Sequence, residues 1–138
     1  MGIRLKGQTA IITGGARGQG AAEARRFADE GAFVVISDVL DREGEDLATE
    51  IGSAAIFKHL DVTNQGAWVE LTEDVLDQRG TIDVLVNNAG ILVFDRMTGT
   101  SQEEFERVMD VNCTGVFLGM QAVSEAMKQQ HSGSIVNI

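Results

Sequence analysis

The 138-residue sequence contains no proline and no tyrosine, and only one cysteine and two histidines. A single thiol, Cys113, cannot form an intramolecular disulfide bond, and no cysteine–histidine cluster has the spacing of metal ligands, so we predict no metal site. Lysine and arginine number 11 against 21 aspartate and glutamate residues, which gives a net charge of −10. This charge repels nucleic acid and anionic membrane surfaces, and we expect neither as a partner.

Long apolar runs are also absent, and no stretch approaches the length needed to span a bilayer. The N-terminus lacks the basic and then apolar pattern of a secretory signal, so we predict a cytoplasmic location. Apolar residues nevertheless make up 43% of the sequence. In a chain of this length that content is sufficient for one domain, residues 1–138, with a hydrophobic core of its own.

Short apolar runs alternate with helical patterns along the chain. Five runs are apolar at consecutive positions, as in parallel strands covered on both faces: residues 10–12, 33–36, 54–57, 82–86 and 135–138. Helical patterns occupy residues 20–30, 41–51, 65–78 and about 100–130, and a glycine follows each of the first three closely. The alternation predicts an α/β fold, a doubly wound parallel sheet of the Rossmann type.

The segment TGGARGQG, residues 13–20, joins the first predicted strand to the first predicted helix. Gly14, Gly18 and Gly20 allow a tight turn and a close approach of the backbone to a pyrophosphate at the helix N-terminus. The spacing differs from G-x-G-x-x-G, and no Lys-Ser/Thr follows to make a nucleoside-triphosphate loop. An ordinary tight turn is the alternative interpretation.

Asp38 ends the second predicted strand, eighteen residues after Gly20. A carboxylate at this place can accept both ribose hydroxyls of an adenosine and would repel a 2′-phosphate, which indicates NAD as the cofactor. The alternative is a cap for the next helix, a role that Asp41 could also fill.

Four ordered motifs resemble those of the short-chain dehydrogenases/reductases. The T-G-x-x-x-G-x-G motif corresponds to Thr13, Gly14, Gly18 and Gly20, and N-N-A-G corresponds to residues 87–90; LDVT and VNCTGVF continue the resemblance. Within the family, GGARGQG, SDVLDREG, KHLDVT and VNCTGVFLGM are most similar to bacterial NAD-dependent hydroxysteroid dehydrogenases. The resemblance implies strand order 3-2-1-4-5 and hydride transfer between nicotinamide and a secondary alcohol or ketone.

The resemblance also implies roles for individual residues in cofactor binding. Asp61 would accept from the adenine amine and Val62 would line the same pocket; an Asx-turn at Asp61 is the alternative. Asn88, Ala89 and Gly90 would lie against a ribose, whereas Asn87 would tie the central strands together. Arg17 and Gln19 would contact phosphate or ribose, and Arg17 could equally be a solvated surface charge.

Asn112 falls within the long helical pattern. A helical projection places it on one face with an apolar ladder, which predicts a buried amide that needs partners; the ladder is Phe105, Met109, Val116, Met120, Val123 and Met127. The family has an asparagine here at a helix distortion, where it holds a water that relays protons. We therefore predict the proton-relay position at Asn112, with a core amide as the alternative. Cys113 is predicted to be a small core residue.

In the family, the catalytic Ser, Tyr and Lys follow a strand such as GSIVNI. That strand occupies residues 133–138, the last of this sequence, so none of the three is present. We expect the chain to be the N-terminal cofactor-binding part of an enzyme, without dehydrogenase activity by itself. A non-catalytic nucleotide-binding or interaction module is the alternative. The oligomeric assembly usual in the family, together with apolar residues on several faces of the long helix, predicts a homodimer or homotetramer. The same apolar residues predict that the isolated 138-residue chain associates.

Overall fold

Five parallel strands form one sheet in the computed structural model, which describes residues 3–138. The strands are β1 (Thr9–Thr13), β2 (Phe33–Asp38), β3 (Ala55–His59), β4 (Val84–Asn87) and β5 (Ser134–Asn137). Their order is β3-β2-β1-β4-β5, with β1 at the centre. This order and the predicted Rossmann-type fold are confirmed.

Helices connect the strands and cover both faces of the sheet. They are α1 (Gly18–Asp29), α2 (Asp41–Ile51), α3 (Gln65–Arg79), α4 (Gln102–Met109) and α5 (Gly115–Gln130). Polar side chains define two of the starts: Asn64 accepts from the backbone N–H of Ala67 before α3, and Ser101 forms a capping box with Glu104 before α4.

Each strand contributes alternate side chains to two core layers. Ala10 and Ile12 of β1 face a layer that includes Ala24 of α1, whereas Ile11 faces the opposite layer with Trp68 of α3. Both layers are closed to solvent, since Ile11, Ile12 and Ala24 are fully buried. Coverage on both faces explains why the strand sequences are apolar at consecutive positions.

A π-helical turn over Asp110–Thr114 joins α4 to α5, so the helical pattern predicted over residues 100–130 is interrupted at Asn112, where the resemblance implied a helix distortion. The N–H of Gly115 donates to the carbonyl of Asp110, a spacing of five residues in place of four. The inserted residue rotates the faces of α4 and α5 relative to each other. The predicted apolar ladder is therefore divided: Phe105 and Met109 are exposed, whereas Val123 is buried.

The predicted burial of Asn112 and Cys113 is wrong for the same reason. Asn112 and Cys113 lie within the π-helical turn and are both exposed, so neither is a core residue. The predicted strand over residues 135–138 is found as β5, which pairs only with β4 among the described strands and has an exposed outer edge. No helix within residues 3–138 is both long enough and apolar enough to cross a membrane.

Candidate functional site

A cavity of about 370 Å³ opens at the carboxyl ends of β1, β2 and β4. The chain runs outward from β1 to β2 and β3 and then returns to β4, so the strand order reverses beside β1. In open α/β sheets ligands bind at such a reversal. The cavity is lined by Gly14, Arg17, Gly18, Asp38, Val39, Leu40, Leu60, Asp61, Val62, Asn88, Ala89, Gly90, Ile91 and Val111.

Nine of the twelve residues predicted to bind a cofactor are in this lining; Thr13, Gln19 and Gly20 are not. The apolar wall of the cavity was not predicted from the sequence; it consists of Val39, Leu40, Leu60, Ile91 and Val111. Four of these, all except Leu40, adjoin predicted site residues in the sequence. Position next to Asp38 or Asp61 after a strand end was therefore the available signal, although apolar side chains there resemble core residues.

Glycine is required at the three motif positions for two different structural reasons. Gly14 and Gly18 have φ values of +60° and +57°, which favour glycine. Gly20 is buried beneath the cavity, and a Cβ there would lie 2.3 Å from the carbonyl oxygen of Gly14. Gly20 therefore allows α1 to pack against the loop, and it does not line the cavity.

The N-terminus of α1 is suited to an anion. Its N-cap residue, Arg17, makes no side-chain capping bond, and the first turn contains no acidic residue. The first N–H groups of a helix have no partner within the helix, so they are available to a ligand. A Cβ on Gly18 would meet nothing within 4 Å, which leaves open space at this end of the cavity. A pyrophosphate matches this arrangement of donors and space.

Asp38 is half-buried and accepts three backbone hydrogen bonds. Its Oδ2 accepts from the N–H of Ala16 at 3.0 Å, and its Oδ1 accepts from Val39 at 2.8 Å and Leu40 at 3.2 Å. The carboxylate thus links the glycine-rich loop to the turn after β2. The capping alternative is not what the structure has, because Leu40 is the N-cap residue of α2.

Asp61 forms the Asx-turn that was the alternative interpretation. Its Oδ1 accepts from the N–H of Thr63 at 2.9 Å and from the Thr63 hydroxyl at 2.7 Å. The same residue also lines the cavity, so turn formation and access to a ligand coexist. Val62 is buried, and its carbonyl accepts from Nε1 of Trp68 at 3.0 Å, which fixes this wall to α3.

Asn87 and Asn88 both tie strands together. Asn87 donates from Nδ2 to Oδ1 of Asn137 on β5 at 2.9 Å, so the predicted link runs to a side chain and not to the backbone. Asn88 donates from Nδ2 to the carbonyls of Thr13 and Gly14 at 3.0 and 3.1 Å. The Thr13 hydroxyl in turn accepts from the N–H groups of Asn88 and Ala89. Thr13 therefore supports the site from beneath.

The side-chain amide of Asn112 forms two hydrogen bonds to the backbone of Ile91. Oδ1 accepts from the Ile91 N–H at 2.8 Å, and Nδ2 donates to the Ile91 carbonyl at 2.9 Å. Because Ile91 lines the cavity, this pair of bonds fixes one wall to the π-helical turn. The predicted partners of the Asn112 amide thus exist, although the residue is exposed.

The two remaining loop residues are exposed to solvent. Arg17 lines the cavity entrance, where its charge would favour an anionic ligand. Gln19 lies outside the lining and donates from Nε2 to Oε1 of Glu23 at 3.0 Å.

The family model described as short chain dehydrogenase matches residues 8–138. A 3-alpha-(or 20-beta)-hydroxysteroid dehydrogenase of Mycobacterium bovis is 46% identical over 138 residues, covering 100% of this chain and 53% of the relative. A cyclopentanol dehydrogenase of Comamonas sp. is 41% identical and is matched by 98% of this chain over 55% of its own length. A trans-4-hydroxycyclohexanecarboxylate dehydrogenase of Sinomonas cyclohexanicum is also 41% identical, with the same two coverages.

The chain spans about half the length of these curated relatives. The similarity to a hydroxysteroid dehydrogenase that the sequence motifs indicated is confirmed.

Proposed function

We propose, given that the chain belongs to the short chain dehydrogenase family, that the whole protein transfers hydride between NAD and a secondary alcohol or ketone. The observation that carries the proposal is the cavity beside β1, where a phosphate-type loop and a strand-terminal carboxylate meet in a chain of this family. Three relatives named for hydroxyl-bearing ring compounds support an alicyclic substrate, of which a hydroxysteroid is one candidate.

The residues of the cavity would hold NAD from its adenine to its second ribose. Gly14, Gly18 and the free N–H groups of α1 would hold the pyrophosphate. Asp38 would accept from the adenosine ribose hydroxyls, since a carboxylate has lone pairs beyond the three bonds that it already accepts. The apolar wall with Asp61 and Val62 would receive the adenine, and Asn88, Ala89 and Gly90 would adjoin the second ribose.

The bound nicotinamide would supply the hydride acceptor or donor, and the protein must handle the proton of the alcohol. We propose that the family's Ser, Tyr and Lys do this from the half of the relatives' length that this chain does not cover. Asn112 would occupy the proton-relay position. What its side chain contributes here is to hold Ile91, and hence the loop after Gly90, against the π-helical turn.

Asp38→Ser in the whole protein tests the cofactor assignment. The unaltered protein should reduce NAD in the presence of a secondary alcohol and bind NAD more tightly than NADP. The variant should lose about 10-fold or more of that preference, because a charge repelling the 2′-phosphate and an acceptor for ribose are removed together. Calorimetric dissociation constants for both cofactors measure the ratio.

Asp46→Asn is the matched control, since it removes the same charge from an exposed site on α2. It should leave the NAD-to-NADP ratio unchanged. Equal affinity of the unaltered protein for both cofactors would contradict the assignment to NAD. Cofactor binding without turnover of any alicyclic alcohol or ketone would instead favour a non-catalytic nucleotide-binding or interaction module.

A further inference from the structure

His59 and Asp41 meet at the surface beside the cavity, although neither lines it. Nδ1 of His59 lies 2.6 Å from Oδ1 of Asp41. An ionised carboxylate only accepts, so Nδ1 is the donor in this bond. His59 is the last residue of β3 and Asp41 is the first of α2, which places the contact between two segments that are eighteen residues apart.

These two segments form opposite parts of one cavity wall. The turn after β2 contributes Asp38, Val39 and Leu40, and the turn after β3 contributes residues 60–62. At their base a backbone bond joins them, from the N–H of Leu60 to the carbonyl of Asp38 at 3.0 Å. The His59–Asp41 bond joins them a second time, farther out at the surface.

We propose that the His59–Asp41 pair is a positioning contact that holds the adenosine end of the cavity in its binding shape. The inference rests on the proposed function, because it assumes that this wall receives the adenosine of NAD. With two attachments the turn after β2 cannot swing away from the turn after β3. The binding geometry then exists before the cofactor arrives, and less ordering is needed on binding.

The location of the pair separates this role from a purely stabilising one. Both side chains are more than half exposed, at 58% and 61%. Ion pairs at such sites contribute little to global stability. Loss of the contact should therefore weaken binding of the adenosine part while the folded structure and the hydride-transfer step remain intact.

The test uses His59→Ala and Asp41→Ala in the whole protein, singly and together. Each single variant should raise the dissociation constants of NAD and of adenosine diphosphoribose by about two- to fivefold, the range of exposed pairs. The double variant should be no weaker than either single variant. Affinity for nicotinamide mononucleotide and kcat at saturating NAD should not change.

Conservative variants separate the hydrogen bond from side-chain bulk and charge. His59→Asn keeps an N–H donor at the δ position and should restore most of the affinity, whereas His59→Leu should not. Glu43→Gln is the control for Asp41, because it removes one charge from the same first turn of α2 without breaking the contact. It should bind NAD like the unaltered protein.

The experiment distinguishes a failure of the proposed function from a failure of the positioning role. If the unaltered protein binds no nicotinamide dinucleotide, the proposed function is wrong and this inference falls with it. If NAD binds normally but His59→Ala leaves its affinity unchanged, or if the effects of the two single variants simply add, only the positioning role is wrong. The positioning role would also be contradicted if the variants lost thermal stability and bound adenosine diphosphoribose and nicotinamide mononucleotide equally more weakly.

Discussion

At the scale of single residues, the site depends on a few polar groups that each do two things. Asp38 accepts from Ala16 in the glycine-rich loop and from the turn after β2, so its carboxylate shapes the cavity as well as charging it. An asparagine at this position would direct an N–H donor toward either Ala16 or Val39, which are themselves donors. This explains why the residue type matters even before a ligand is considered.

The sequence indicated the residue types of the site better than their contacts. Asp38 and Asp61 were identifiable because a carboxylate directly after a buried strand has few core roles. The attachment of Asn88 to Thr13 could not be foreseen, since it depends on two strand ends that are 75 residues apart. The exposure of Asn112 was mispredicted because a helical projection assumes an uninterrupted helix.

The acid sensitivity of the fold should depend on Glu30. This side chain is nearly buried and receives a bond from Arg4 at 2.7 Å and an ion pair from Arg26 at 2.5 Å. The Arg4 hydrogen bond chiefly lowers the pKa of Glu30 from 4.5 to about 2. A lowered pKa means that the stabilisation is present above pH 4.5 and is lost as the pH falls toward 2.

Glu30→Gln should therefore lower the urea midpoint at neutral pH and flatten its decline between pH 4.5 and pH 2. Glu50→Gln is the control, because the Arg25–Glu50 pair is exposed on both sides and should contribute little. An identical acid profile for Glu30→Gln and the unaltered protein would contradict the role given to Glu30.

At the scale of elements, helices approach the sheet closely where they present glycine. Gly119 of α5 is an example: an added Cβ would lie 2.6 Å from Oδ1 of Asn87 and 2.9 Å from the ring of Trp68. Both neighbours are buried, so neither can move into solvent. This contact sets the distance between α5 and β4.

Gly119→Ala should therefore destabilise the protein by about 1–3 kcal/mol, the usual cost of overpacking a core. Gly66→Ala is the matched control on α3, where the nearest atom is at an ordinary 3.4 Å. That substitution should be neutral or stabilising, since alanine is the better helix former. Urea unfolding of the two variants checks both signs, and equal effects would show that the close contact is not what matters.

The strands and helices were largely predictable from the sequence, and the π-helical turn was the exception. Strands that are covered on both faces leave continuous apolar runs, and glycine marks several helix ends, so both features are visible locally. The π-helical turn consists of five residues whose only distinction is a shifted hydrogen bond. The residue types in DVNCT do not specify that shift, and only the resemblance to the family indicated a helix distortion at Asn112.

At the scale of the molecule, α4 and α5 both leave large apolar side chains exposed. Phe105 of α4 and Phe117 of α5 are 58% and 56% exposed, and Met109 of α4 is exposed as well. Leu118 and Val123 of α5 are also apolar, but both are buried in the core layer that contains Trp68. The long helical segment therefore exposes fewer apolar side chains for association than its sequence suggests.

We predict that the whole protein is a homodimer or homotetramer in which Phe105 and Phe117 are buried. Phe117→Glu should lower the molar mass measured by light scattering, because a buried charge at an interface is costly. Val69→Glu is the control, since Val69 is an exposed apolar residue on a different helix, α3. A monomeric unaltered protein, or an unchanged mass for Phe117→Glu, would contradict the prediction.

The bonds between Thr13 and Asn88 also bear on when the cavity comes into existence. The glycine-rich loop is synthesised early, but Asn88 closes it only after another 75 residues have been made and β4 has paired with β1. Contacts of such long sequence separation form late in folding, because the intervening chain must first be ordered. A nascent chain or an intermediate without β4 would therefore have the loop but no site, and cofactor could select only molecules in which the sheet is already assembled.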